Sequence, residues 1–147
     1  MASVVPVSSP EVAEAAKLFE KGDFEQAAGE FQDDYRRGVA QYRAGQYGQA
    51  AESFEKVDRE SVKTQALYNL GNSRFQEGKL EAAAEAYRKV LLRDATHDDA
   101  RHNLGLTSAM LAEAEAEEAE KKEQEEKEEQ EQQESEEQQE SEEQQES

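Results

Sequence analysis

The chain repeats its own residue pattern at a period of 33 or 34 residues. Leu70-Gly71 returns 34 residues later as Leu104-Gly105. Matches at an offset of 33 join Gly45, Tyr47, Ala50, Phe54 and Val57 to Gly78, Leu80, Ala83, Tyr87 and Val90. A shortened copy upstream has the same spacing at Gly22, Phe24, Ala27 and Phe31. Because a single short unit cannot bury its apolar face alone, such a period predicts a stack of equivalent units.

The residue types at the repeated positions indicate a pair of helices in each unit. Small residues (Gly38, Gly71, Gly105, Ala50 and Ala83) are expected where paired helices approach closely, and large ones (Tyr47, Phe54, Leu80 and Tyr87) between successive pairs. Glycine at 22, 45 and 78 is expected to end the first helix of each pair. With a period near 34 residues, this pattern resembles the tetratricopeptide repeat (TPR).

The sequence therefore predicts an all-α fold, a right-handed TPR helical solenoid over residues 9–112. We expect about three helix pairs, at 9–21 with 24–31, 33–44 with 47–57, and 62–77 with 80–93. The first pair is truncated, and a long C-terminal capping helix begins near residue 97. Predicted helix starts are Ser9-Pro10, an Asp33 cap, and a Thr96 cap with Asp99 three residues on. Residues 1–8 are expected to form a flexible leader.

The acidic charge of the chain is concentrated in its last part. The formal net charge is −19, and residues 111–147 contribute −15 of it through 18 Glu and 3 Lys. No apolar side chain follows Ala119. The sequence predicts a tail at 113–147 that is helical at its start, where Glu–Lys pairs are four residues apart, and disordered from about residue 128. This tail is a solubilising spacer, a docking segment for a basic or glutamine-rich partner, or a cation-binding segment.

Composition excludes most other classes of function. The chain has no Cys, and its two histidines, His97 and His102, are five residues apart, which does not suit a helical metal pair. We expect no enzyme activity, no cofactor and no metal. A basic patch for nucleic acid and an apolar run of membrane-spanning length are both missing from the sequence. The start "MASVVPVSSP" does not resemble a signal peptide.

Protein binding is the function that this pattern favours. In a TPR stack the first helix of each pair lines the concave face, and amides and arginines there could bond an extended peptide. The predicted partner-binding residues are Tyr35, Arg36, Arg43, Tyr68, Asn69, Asn72, Gln76, His102 and Asn103. The alternative for each is a packing or solvated role. Apolar residues of the shortened first pair, Val12, Ala16 and Phe19, are the candidates for self-association through the repeat ends.

Two stretches also resemble the small TPR proteins of bacterial aerotolerance (Bat) operons. They are "FEQAAGEFQDDYRRGVAQYRAGQYGQAAESF" and "ALYNLGNSRFQEGKLEAAAEAYRKVL". The resemblance implies a scaffold in a periplasmic or membrane-associated assembly with von Willebrand A-domain partners, whereas a natural start at Met1 would imply the cytoplasm. Asp34 and Arg37 depart from the usual residues of that family. A chaperone-type carboxylate clamp is not expected, because Asp99 occupies the position of its lysine.

Overall fold

A computed structural model describes residues 10–147, and within this range the chain is helical with no strand. The helices are α1 (Pro10–Glu20), α2 (Phe24–Glu30), α3 (Asp34–Arg43), α4 (Tyr47–Glu55), α5 (Glu60–Gln76), α6 (Leu80–Arg93) and α7 (Asp98–Glu146). Each of the helices α1 to α5 packs on the helix that follows it in the chain, and the last of these contacts is that of α5 with α6. The predicted all-α solenoid of helix pairs is confirmed.

Glycine ends the first helix of every pair, as predicted. Gly22, Gly45 and Gly78 have φ angles of 84°, 78° and 78°, which a residue with a Cβ rarely adopts. The turn is closed by backbone hydrogen bonds such as that from Asp23 N to Leu18 O, 2.9 Å long. This geometry returns the chain antiparallel to the helix that it has just left.

The helix starts are confirmed in part. The Asp33 cap is correct, since its Oδ2 accepts a hydrogen bond of 3.0 Å from Arg36 N. Pro10 is the first residue of α1, whereas Ser9 lies outside the described residues. The Thr96 cap is wrong. His97 precedes α7, and its Nδ1 accepts a 3.0 Å bond from Ala100 N, so an imidazole fills the role predicted for a hydroxyl.

The core lies between paired helices and is built from alanines and a few rings. Ala50, Phe54 and Val57 are buried in one cluster with Ala66, and Ala27, Ala28 and Ala40 are buried in another. Tyr87 is 1 % exposed. The small side chains let the helix axes approach, and each ring fills the space that remains.

The close approach predicted at the repeated glycines is found at two of the three positions. A Cβ built on Gly38 would lie 2.7 Å from the Phe54 ring, and one on Gly71 would lie 2.5 Å from the Tyr87 ring. At Gly105 the prediction is wrong. A Cβ there would meet no atom of residues 10–147 within 4 Å outside its own helix backbone and chain neighbours. The reason is that no second helix follows α7 in the described chain.

The chain divides into two units, one reaching to Ser108 and the other running from Ala109 to Ser147. In the second unit α7 continues to Glu146, whereas the sequence predicts disorder from about residue 128. Almost every side chain there is exposed. Glu, Gln and Lys are good helix formers and no Gly or Pro interrupts them, and a helix satisfies its backbone hydrogen bonds without needing a core.

Candidate partner-binding face

The first pocket, which we call the N-terminal pocket, lies between α1 and α3. Its volume is about 420 Å³, and its wall is mostly apolar. The lining residues are Val12, Ala13, Ala16, Phe19, Glu20, Phe31, Tyr35, Arg36 and Val39. Thus the residues predicted for self-association (Val12, Ala16 and Phe19) and two predicted for partner binding (Tyr35 and Arg36) share one pocket. They do not form two separate surfaces.

Arg36 is the cation that lines this pocket, where the other charged lining residue is Glu20, and its guanidinium has no counter-ion within residues 10–147. Its neighbour Arg37 pairs with Asp34, and Arg59 pairs with Asp33 at 3.0 Å. Within residues 10–147 the Arg36 guanidinium makes no ion pair or hydrogen bond. A half-buried cation beside apolar walls favours an anionic group on whatever enters the pocket.

Arg43 is not part of this pocket. Its guanidinium carbon lies 4.8 Å from the centre of the Phe24 ring and 5.8 Å from that of Phe19. This is a cation–π arrangement that ties α3 to the first helix pair. Arg43 therefore has a contact inside the protein at the position where the sequence predicts a peptide contact.

A second pocket, the central pocket, lies where α3, α5, α6 and α7 come together. Its volume is about 270 Å³, and it is lined by Tyr42, Asn72, Phe75, Gln76, Tyr87, Asn103 and Leu106. Three of the predicted amide side chains (Asn72, Gln76 and Asn103) meet here. The wall is more polar than that of the N-terminal pocket.

Hydrogen bonds fix the amides of the central pocket. Tyr87 Oη donates to Asn72 Oδ1 at 2.7 Å. Asn103 Nδ2 lies 3.2 Å from both Asn72 Oδ1 and Tyr68 Oη and donates to them. The Asn72 amide nitrogen has no partner within residues 10–147, so it retains donors for a ligand. Burial raises the pKa of Tyr87 from 10.0 to about 12, so its hydroxyl stays a donor into the alkaline range.

The other predicted side chains are partly used by the fold. Tyr68 lies between the rings of Tyr87 and His97, with centroids 6.1 and 4.9 Å away. Asn69 Oδ1 accepts a long bond of 3.4 Å from Gln65. Burial raises the pKa of Tyr35, and the hydrogen bond of Tyr35 with Asn69 partly opposes this rise. Tyr68, and in part Asn69, thus also make contacts within the fold.

His102 is exposed and lines neither pocket. Conversely, Phe31 and Tyr87, to which the sequence assigns a packing role, also form pocket walls. The sequence repeat already marked both residues, because each is the last aromatic residue in the repeated pattern of its unit.

The described part of the chain holds no cluster of three His, Cys, Asp or Glu side chains suited to a metal ion. Among the same residues, no helix combines the length and the apolar character needed to span a membrane.

Comparison with known proteins identifies the family. The model of the tetratricopeptide repeat matches residues 35–100 and, overlapping them, residues 68–133. Together these cover about two thirds of the sequence, and the chain therefore belongs to the tetratricopeptide repeat family. Such repeats are in general non-enzymatic modules that bind other proteins on a concave surface.

One solved structure shows the same fold. It is the first TPR of Spaghetti (RPAP3) bound to the HSP90 peptide SRMEEVD, with a TM-score of 0.60. The sequences are 23 % identical, and the match covers 68 % of this chain and 89 % of that one. A search of curated proteins finds no match.

Proposed function

We propose that this chain is a non-enzymatic scaffold that binds an extended peptide of a partner protein along the face formed by α1, α3, α5 and α7. One observation carries the proposal. Two pockets lie along the first helices of successive pairs, and their walls include five of the nine predicted partner-binding residues, Tyr35, Arg36, Asn72, Gln76 and Asn103. The similarly folded TPR of Spaghetti (RPAP3) is itself bound to a peptide.

The two pockets supply different contacts to such a peptide. In the N-terminal pocket an apolar side chain would replace water against Phe19 and Val39, while Arg36 would face an acidic group. In the central pocket the amide nitrogen of Asn72 would donate to a backbone carbonyl of the peptide. Asn103 and Tyr87 hold that amide in place, so the donor is oriented before the peptide arrives.

A finer form of the proposal follows from the resemblance to Bat-operon TPR proteins. In that form the chain belongs to a Bat-type assembly, and the peptide is part of a von Willebrand A-domain protein. The resemblance rests on the two quoted stretches, which cover α2 to α4 and α5 to α6.

The experiment is a calorimetric titration of the full chain with peptides selected from a random library displayed on phage. The double variant Arg36→Gln, Asn72→Ala should weaken binding by about tenfold or more, as expected when central contacts are lost. Arg88→Gln is the matched control, since Arg88 is an exposed arginine on α6 without an ion pair in the described chain. Equal binding by the wild type and the double variant would rule out this face.

The second candidate function is self-assembly into homo-oligomers through the repeat ends. The apolar wall of the N-terminal pocket, with Val12, Ala16 and Phe19, favours it. Light scattering over a range of concentrations separates the two functions. A monomer at all concentrations contradicts self-assembly, whereas an oligomer that Phe19→Ser dissolves would support it.

A further inference from the structure

The helix α7 begins like the first helix of a fourth pair, and no second helix follows it in the described chain. In the two complete pairs an aromatic residue follows the glycine by 16 positions, as Phe54 follows Gly38 and Tyr87 follows Gly71. The corresponding position after Gly105 is Lys121. Lys121 lies within α7 itself, because the chain continues as a helix instead of turning back.

The complete pairs show what normally covers this glycine. The Phe54 and Tyr87 rings come within 2.7 and 2.5 Å of where a Cβ of Gly38 or Gly71 would be, so each ring lies directly on the helix backbone. Gly105 is exposed. A Cβ built on it would have no atom of residues 10–147 within 4 Å, its own helix backbone and chain neighbours aside. The surface that receives a ring in the other pairs is open on α7.

The residue after the glycine indicates which ring fits. Val39 follows Gly38 and packs against the cluster that contains the phenyl ring of Phe54. Asn72 follows Gly71, and its Oδ1 accepts the hydroxyl of Tyr87 at 2.7 Å. Leu106 follows Gly105 and is 48 % exposed. Because a leucine offers no acceptor, a phenyl ring suits this position and a phenol would lose a hydrogen bond.

Within residues 10–147, the rings at the equivalent repeat positions are already in use. Phe54 and Tyr87 are 2 % and 1 % exposed in their own pairs. Phe31, which corresponds to them in the first pair, lines the N-terminal pocket. The helix α7 contains no aromatic residue. A second copy could supply a ring only by opening one of its own helix pairs, which favours a different protein as the source.

We propose that α7 receives a helix from a partner protein, which completes the fourth pair in trans. The partner helix carries a phenylalanine over Gly105 and an alanine four residues before it, as in Ala50–Phe54. Docked in this way, it continues the stack in which α6 already packs on α5. The alanine is needed because its equivalents, Ala50 and Ala83, are fully buried between the helices.

The probe for this proposal is a peptide with the sequence of residues 47–57, YGQAAESFEKV, cross-linked on its exposed side so that it is helical. The cross-link is necessary because a free helix of this length is marginal in water. Titration into the ¹⁵N-labelled full chain should shift the amide resonances of Gly105 and Leu106. Replacing the peptide's phenylalanine by alanine should weaken binding by about tenfold or more, as for other buried aromatic anchors.

Two protein variants make the test specific. Gly105→Leu fills the surface that receives the ring and should abolish binding. Gly29→Leu is the matched control, since Gly29 is also an exposed helical glycine with no atom of residues 10–147 within 4 Å of its Cβ position, its own helix backbone and chain neighbours aside. With tyrosine in place of phenylalanine the peptide should bind less tightly to the wild type. Leu106→Asn should reverse that preference, by supplying the acceptor found at Asn72.

Three results would overturn the proposal. The first is an absence of shifts at Gly105 up to about 1 mM peptide, an affinity too weak to matter. The second is equal binding to the Gly105→Leu and Gly29→Leu variants. The third is self-association of the chain that Gly105→Leu abolishes, since a second copy would then be the occupant. Arg36→Gln should leave binding of this probe unchanged, which separates its outcome from that of the peptide-binding face.

Discussion

Two glycines at equivalent repeat positions should respond in opposite ways to alanine. Gly→Ala in a helix interior gains about 1 kcal/mol of stability from helix propensity alone. At Gly105 nothing opposes this gain, because no atom of residues 10–147 lies within 4 Å of the added methyl outside the local helix and chain neighbours. We therefore expect Gly105→Ala to raise the free energy of unfolding by about 1 kcal/mol.

At Gly71 the same change meets the Tyr87 ring. The added Cβ would be 2.5 Å from Cε1 of a ring that is 1 % exposed. The ring must move, which costs about 1–3 kcal/mol through overpacking. Its hydroxyl would also lose the bond to Asn72, worth about 1 kcal/mol. After the gain in propensity is subtracted, Gly71→Ala should lower the free energy of unfolding by about 2 kcal/mol.

Urea denaturation followed by tyrosine fluorescence measures both changes, because the chain has five Tyr and no Trp. Gly38→Ala is the companion variant. It should behave like Gly71→Ala, since its Cβ would lie 2.7 Å from the Phe54 ring. A loss of stability in Gly105→Ala similar to that in Gly71→Ala would refute the reasoning, since it would mean that α7 also carries a covering group.

Three further outcomes are expected. Tyrosine absorbance should show one group titrating near pH 12, and Tyr87→Phe should remove it. Because the pKa of Tyr87 is raised from 10.0 in the fold, stability is complete below pH 10 and is lost as the pH rises through 12, by about 2–3 kcal/mol in urea titrations. Asp33→Ala should cost about 1 kcal/mol in the same assay through loss of the cap on α3, with exposed Asp58→Ala as the neutral control. A chain ending at residue 112 should unfold at the urea midpoint of the full chain while its circular dichroism loses the helix signal of the removed part, and a lower midpoint would show that the tail stabilises the repeats.

The helix pairs could be predicted because their signals are local. Glycine with positive φ at 22, 45 and 78 marks each turn, and the spacing to the next aromatic residue is fixed within the second helix. Predicted and observed helix bounds therefore differ by no more than about two residues at most ends. The tail differs from the prediction because the absence of apolar side chains excludes a core but does not exclude a helix.

The candidate site was harder to predict because its contacts are long-range. Asn103 reaches Asn72 and Tyr68, which are 31 and 35 residues away in the sequence. Repeat geometry places such residues on one face, but it does not say which amides bond one another and which stay open to a ligand. The contact of Arg43 with Phe24 has the same character, since it depends on how the shortened first pair packs on the second.

Leu106 links the two proposed surfaces. It lines the central pocket, and it also follows the glycine on which the partner helix would dock. A helix that covers Leu106 would therefore change one wall of the central pocket. The N-terminal pocket shares no lining residue with the central pocket. Any resulting coupling must be reciprocal, because a peptide in the central pocket that favours one position of Leu106 changes the affinity for the helix by the same factor. Arg36, which lines only the N-terminal pocket, is consequently the residue that tests the peptide-binding face without disturbing the helix-binding one.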